Sequence, residues 1–124
     1  MFLDRDGTIN EERGHIQTPE ELVLLAGAAS AIRRLNASQY LTVVVTNQSV
    51  IARGKCTEID MKTIHNRLQS LIGEFGASID RIYYCPHHPD QLIPGGRQDL
   101  KIVCDCRKPE PGLILRATKE MNID

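Results

Sequence analysis

The chain has 124 residues, of which 25% are charged and 41% hydrophobic, with a formal net charge of −1 at pH 7. That length holds one domain with a real core, and the near-neutral balance, with no run of basic residues, removes any global electrostatic case for nucleic acid. No apolar stretch approaches the length of a bilayer span and the N-terminus lacks the basic and apolar regions of a signal peptide, so a cytoplasmic protein without a membrane partner is expected.

Met1–Leu3 reads as the tail of a strand clipped at its start, running into Asp4-Arg5-Asp6-Gly7-Thr8. From Gly27 a helix is expected, with Ala28, Ile32 and Leu35 on one face at three- and four-residue steps. Leu41–Val45 is a continuous β-branched run, the mark of a strand covered on both faces, and it stops at the polar tip Thr46-Asn47-Gln48-Ser49. Thr57 and Asp60 form a variant capping box for a helix whose period is kept by Met61, Ile64, Leu68, Leu71 and Phe75 and which Gly76 ends. A third strand is expected over Ile79–Tyr84, and Pro111 opens a last helix reaching about Met121.

This alternation predicts a parallel sheet with right-handed crossovers, in which ligands gather at the carboxyl ends of the strands. The polar tips DRDGT, TNQS and CPHH all fall there. Residues two apart on an extended segment point the same way, so Asp4 and Asp6 are expected to face one reacting centre while Arg5 turns aside. Two close carboxylates are tolerated around a hard cation, or where one keeps its proton. Magnesium with a phosphate ester meets the first condition. Phosphoryl transfer meets the second, with one carboxylate attacking phosphorus and the other protonating the leaving oxygen. The alternative is a short solvated turn. Against it stand Thr46 and Asn47, with a hydroxyl and an amide for phosphate oxygens, and Lys108, a point charge for the transferring group.

Three cysteines lie in tight pairs with ligating residues: Cys85 with His87 or His88, and Cys104 with Cys106. Four ligands of the types zinc prefers would close the site, making it structural. Residues 88–103 hold Pro94, Gly95 and Gly96 and little to bury, so zinc would tie together the ends of an otherwise mobile loop. Cys56 stands apart and reads as a free thiol.

DRDGT, TNQS and CRKP resemble three of the four motifs of the haloacid dehalogenase superfamily of phosphatases. FLDRDGTIN, VVVTNQS-IARGK, IYYCPHHPD and CDCRKPEPG together resemble the D-glycero-D-manno-heptose 1,7-bisphosphate 7-phosphatases of bacterial lipopolysaccharide and surface-sugar synthesis, from Phe2 to Asp124. The resemblance implies a three-layer, Rossmann-like α/β phosphatase domain over residues 1–124, lacking its C-terminal strands and carrying a zinc-stapled loop. It implies Asp4 as nucleophile and magnesium ligand, and Asp6 as general acid and base that meets magnesium through its backbone carbonyl. Thr46 and Lys108 match phosphate stabilisers. Arg5, Asn47, Gln48, Ser49 and Arg107 fall on the substrate side, with Glu12, Arg13, Gly14 and His15 in the place of a substrate-contacting loop. Arg53 and Lys55 are expected near a distal phosphate. Zinc is implied on Cys85, His87, Cys104 and Cys106, and His87 is preferred to His88.

Two departures are visible. The fourth acidic motif is absent before Asp124, itself an unconvincing substitute, so an exposed sheet edge is expected next to Asp4. Val50 stands where the family usually has glycine, which would strain a left-handed backbone. The rival readings are a histidinol-phosphate phosphatase, which shares DRDGT, C-P-H and CDCRK, and a non-catalytic zinc-binding fragment. No oligomer seam is visible, and a monomer acting on a small sugar bisphosphate is expected.

Overall fold

A computed structural model describes residues 1–123; the reading of Asp124 lies outside the described residues. Three parallel strands, β1 (Phe2–Leu3), β2 (Val43–Asn47) and β3 (Arg81–Cys85), form a sheet in the order β1-β2-β3. Helix α1 (Ala28–Ala37) lies between β1 and β2, α2 (Glu58–Gly73) between β2 and β3, and α3 (Gly112–Glu120) follows β3. Among the described residues β1 pairs only with β2, so the edge expected beside Asp4 is present. No helix is long and apolar enough to cross a membrane among the described residues.

The β-branched run of β2 explains the layering. Val44 packs into a core with Ile32 of α1 and Met61, Ile64 and Leu68 of α2. Val43 and Val45 point the other way, into a smaller core with Tyr83 of β3 and Leu113 and Ala117 of α3. Helices therefore cover both faces, as a parallel sheet requires. Burying side chains of this size stabilises by roughly 1.5–3 kcal/mol each, so β2 is the spine of the domain.

Both later strands begin two residues further along than expected. Leu41 is exposed, and the Thr42 N–H is taken by the Asp80 carboxylate at 2.7 Å. Before β3, the Ile79 N–H and C=O are both occupied by the Gln69 side chain, at 3.0 and 2.8 Å. The gain is at the other end, where Asn47 of β2 comes opposite Cys85 of β3. The capping box of α2 forms with both bonds. That helix stops at Gly73, before the expected Gly76, leaving Phe75 exposed and Ile72 as the last buried side chain of the stripe. Pro111 is the residue before α3 and not its first turn.

The segment 88–103 is tied down by more than its ends. Lys101 is 2% exposed, and its ammonium donates to the carbonyls of Ile93 (2.6 Å) and Gly95 and to Gln98 Oε1 (3.3 Å). Gly96 lies so close to Ala52 and Arg53 that a Cβ would collide with their backbone, and the Arg97 N–H donates to the Ala52 carbonyl at 2.9 Å. The loop is thereby docked on residues 52–53. Val50 is fully buried, and the positive-φ non-glycine among the described residues is Asn122. Val50 carries no left-handed backbone, so the strain expected there is absent.

Candidate active site

Asp4 directly follows β1, and its side chain is 45% exposed. Lys108 reaches it from the loop before α3: Nζ lies 3.0 Å from Asp4 Oδ1 and donates to the Val45 carbonyl at 3.0 Å. A pair this exposed adds at most about 1 kcal/mol to stability, so its interest lies in what it positions. Asn47 fixes the lysine from behind, its Nδ2 donating to the Lys108 carbonyl (3.2 Å) and its Oδ1 accepting the Lys108 N–H (2.9 Å). The expectation that this amide is free for phosphate oxygens is corrected: it is bound to the Lys108 backbone.

Asp6 sits in a denser network. Arg5 Nε donates to Oδ1 at 2.9 Å and Nη2 to Oδ2 at 3.1 Å, with Asn10 Nδ2 on Oδ1 (2.9 Å) and Gln48 Nε2 on Oδ2 (3.0 Å). Burial alone pushes this carboxyl up, but the bonds and charge of Arg5, with those of Asn10 and Gln48, outweigh it and hold Asp6 below its ordinary value. Gln48 is 4% exposed and also donates to Thr46 Oγ1 at 3.0 Å, while Thr46 is 1% exposed. Gln48 is thus a strut between Asp6 and Thr46 and not an open substrate contact.

Arg5 is also displaced from its expected role. It is fully buried, and its remaining nitrogen, Nη1, faces His65 Nε2 at 3.2 Å and Met61 Sδ at 3.5 Å. A buried guanidinium needs partners on every side, and it has them inside the protein, so it does not touch a ligand in the cleft. Burial, then the charge of Arg5, lowers the His65 pKa to about 3. The ring is neutral at ordinary pH, and an acceptor at Nε2 assigns its hydrogen to Nδ1.

A pH dependence of stability follows. The folded state leaves His65 unprotonated above about pH 3, whereas the unfolded chain protonates it below 6.5. Between those values the unfolded state binds more protons. Stability is therefore fully present above 6.5 and falls as pH drops toward 3. Asp6, with its depressed pKa, adds a loss in the same direction below 3.8. His65→Gln is expected to reduce the slope of unfolding free energy between pH 4 and 6 by up to about 1.4 kcal/mol per pH unit. Denaturant titrations across that range check it; parallel slopes for the two proteins would contradict it.

Behind Lys108 lies the second constellation. One ligand atom each from Cys85, His87, Cys104 and Cys106 lie within 4.8 Å of one another. A tetrahedral ion with bonds of about 2.3 Å requires ligand separations of about 3.8 Å. The separations are 3.5 Å for Cys85–His87 Nδ1, 3.6 Å for Cys85–Cys104, 3.3 Å for His87 Nδ1–Cys106, 3.5 Å for Cys104–Cys106 and 2.9 Å for Cys85–Cys106. His88 is outside the group; its Nδ1 accepts the Asp90 N–H. Burial first, then the neighbouring sulfurs, push the Cys106 thiol up, which a divalent cation would reverse because thiolates are the ligating form.

The remaining expected residues form the rim. His15 is depressed by burial and then by the charges of Arg53 and Lys55, and His88 by burial and then by Arg107 and Arg53. These basic groups therefore share one region, with Arg107 Nη1 tied to the His87 carbonyl at 3.1 Å. The Arg53 Nε is buried with no partner among the described residues. Ser49 is half-buried, and its carbonyl accepts the Arg53 N–H at 3.0 Å. Glu12 accepts the Gly14 N–H, and Arg13 pairs with Glu11 in solvent. A cavity of about 750 Å³ lies elsewhere, along β3 and α3 beside Tyr83, Arg116 and Glu120, and none of Asp4, Asp6 and Lys108 lines it. The chemistry, not the volume, marks the site.

The whole chain, residues 1–124, matches the family model described as polynucleotide kinase 3 phosphatase. The chain belongs to that family. It is 42% identical over all 124 residues to the D-glycero-beta-D-manno-heptose-1,7-bisphosphate 7-phosphatase of Salmonella typhi, covering 64% of that protein. To the enzyme of the same name from Pasteurella multocida it is 41% identical, again over its full length and covering 65% of the relative. Among solved structures it is similar to the D,D-heptose 1.7-bisphosphate phosphatase of B. bronchiseptica complexed with magnesium and phosphate, with TM-score 0.84 and 32% identity over all of this chain and 64% of that one. The resemblance read from the motifs holds along the entire chain, which spans a little under two thirds of these relatives.

In this family member two residues of the Asp6 network, Asn10 and His65, had not been singled out in the sequence. His65 carries a readable signal: it falls on the apolar stripe of α2 between Met61 and Leu68, where a polar side chain needs a buried partner. Asn10 offers none; its contact to Asp6 arises from the turn at Gly7, whose N–H donates to the Asn10 carbonyl at 2.8 Å.

Proposed function

We propose that the protein is a magnesium-dependent phosphatase that removes the C7 phosphate of D-glycero-D-manno-heptose 1,7-bisphosphate through an aspartyl-phosphate on Asp4. The observation that carries the reading is the Lys108 ammonium 3.0 Å from the Asp4 carboxylate, at the end of β1 in a parallel sheet. The names of the relatives support the substrate, and the magnesium and phosphate of the B. bronchiseptica complex support the chemistry.

One Asp4 carboxylate oxygen attacks phosphorus; in the resting site Oδ1 takes the Arg5 N–H and Lys108. The bond from phosphorus to the sugar oxygen breaks, and Asp6 gives that oxygen a proton. The incoming phosphate dianion opposes negative charge on Asp6 and so raises its carboxyl toward the protonated form, against the pull of Arg5. Water then attacks the phosphorus and its proton passes to Asp6. The acyl-phosphate bond breaks, returning the Asp4 carboxylate and inorganic phosphate. Lys108 screens the charge that develops at the phosphoryl oxygens, and Thr46, whose hydroxyl can donate while it accepts from Gln48, serves the same group.

Magnesium would be held by the Asp4 carboxylate and, as the resemblance implies, by the Asp6 carbonyl; the Asp6 carboxylate itself accepts from Arg5, Asn10 and Gln48. When bound, that ion would neutralise phosphate charge. Zinc on Cys85, His87, Cys104 and Cys106 would act structurally, and Arg53, Lys55, Arg107 and His15 would face the distal phosphate. Turnover by the whole protein on heptose bisphosphate and on histidinol phosphate tests the substrate. A strong preference for the former is expected, and the reverse preference overturns it. Absence of turnover on both would favour a non-catalytic zinc-stapled module.

A further inference from the structure

We infer that His65 is a positioning residue for the reaction, acting through Arg5 to orient the Asp6 carboxylate. The inference rests on the assignment of Asp6 as the proton-transferring group.

Among the described residues Arg5 is the only link between α2 and Asp6 in this network, and its N–H donors are distributed in a set way. Nε and Nη2 grip the two Asp6 oxygens at 2.9 and 3.1 Å, while Nη1 turns back to His65 Nε2 at 3.2 Å. A guanidinium is planar, so a bond at Nη1 restricts rotation of the plane in which the other two nitrogens meet the carboxylate. Because Arg5 is adjacent to Asp6 in the chain, its backbone moves with the loop it must steady and cannot serve as an independent anchor. His65 can: it sits mid-helix, buried in α2 between Met61 and Leu68, and its ring packs at 5.9 Å from that of Tyr84. Its neutrality keeps it an acceptor, since an imidazolium would repel the guanidinium.

A side chain positioned in this way matters for rate and not for substrate affinity. Asp6 has to meet the sugar oxygen, and later the water, within hydrogen-bond reach, and a displacement of about 1 Å costs on the order of 100-fold. Arg5 is fully buried and His65 nearly so, away from the rim cations, so loss of the link leaves those cations unaltered.

The test uses the whole protein loaded with magnesium and three variants. His65→Met, similar in bulk but without a nitrogen acceptor, is expected to lower kcat 10- to 100-fold with KM within about twofold. His65→Gln, whose amide oxygen can accept from Nη1, is expected to recover most of the loss. Arg5→Lys, which cannot hold both partners in one plane, repeats the kcat defect and serves if His65→Met fails to fold. Thermal melts confirm the fold, and the slowly exchanging Arg5 side-chain N–H resonances in NMR report the link itself. Those resonances are expected to broaden in His65→Met whether or not the protein turns substrate over. Wild-type inactivity on every phosphate ester would sink the functional reading, leaving the NMR result to decide whether His65 holds Arg5. A folded His65→Met or Arg5→Lys with wild-type kcat, unaltered Arg5 resonances, or a folded His65→Gln as slow as His65→Met overturns the inference.

Discussion

Asp4→Asn is expected to lower kcat by at least about 10⁴-fold while leaving the fold intact. The substitution is nearly isosteric, at a side chain 45% exposed, so packing is unaffected and the lost pairing with Lys108 costs no more than about 1 kcal/mol. What disappears is the proposed nucleophile: an amide oxygen does not form the acyl phosphate. Phosphate release by the whole protein, alongside a thermal melt, checks the result. More than about 1% of wild-type turnover in a folded variant would require another attacking group.

The second large effect concerns the sulfur cluster. With the cluster holding zinc as proposed, Cys106→Ser is expected to lower the melting temperature by on the order of 10 °C or more, because structural zinc sites contribute apparent binding energies of about 10–16 kcal/mol and only a part of that has to be lost. Turnover is expected to drop with it, by roughly 10- to 100-fold, through misplacement. The route is short. Cys106 immediately precedes Arg107 and Lys108, and the Arg107 guanidinium is tied to the carbonyl of His87, another member of the cluster. A second route runs through the docked loop, where Gly96 rests on the backbone of Ala52 and Arg53. Metal content, melting temperature and kcat measured on one preparation test this. A demonstrably zinc-free Cys106→Ser with wild-type kcat would show that the cluster does not place the cations.

The layer order and the meeting of DRDGT with CRKP were legible in the sequence because they rest on strong local signals. The unbroken valines of β2 and the Thr57–Asp60 cap each have one physical reading. The paired cysteines were legible for the same reason, since C-x-H and C-x-C fix spacing whatever the fold does around them. Strand limits were not, because they were decided by side chains distant in sequence. Gln69 takes the backbone of Ile79, and Asp80 takes that of Thr42, ending the ladder where propensity would have continued it.

Within the site, the residues misread were those whose donors could serve either the protein or a ligand. Nothing in TNQS says that Asn47 holds the Lys108 backbone or that Gln48 braces Asp6. Arg5, in the middle of the motif, invites a role toward substrate, yet burial against α2 makes it an internal clamp. Val50 raised the opposite concern, and its ordinary backbone removes it.

The central claim is that Asp4 and Lys108 flank one phosphoryl site, and trapping a phosphate mimic tests it most directly. A structure of the whole protein with magnesium and beryllofluoride is expected to show the beryllium bonded to an Asp4 oxygen, with Lys108 Nζ within hydrogen-bond distance of a fluoride. Beryllofluoride bound away from Asp4, or equally well by Asp4→Asn, would contradict the account.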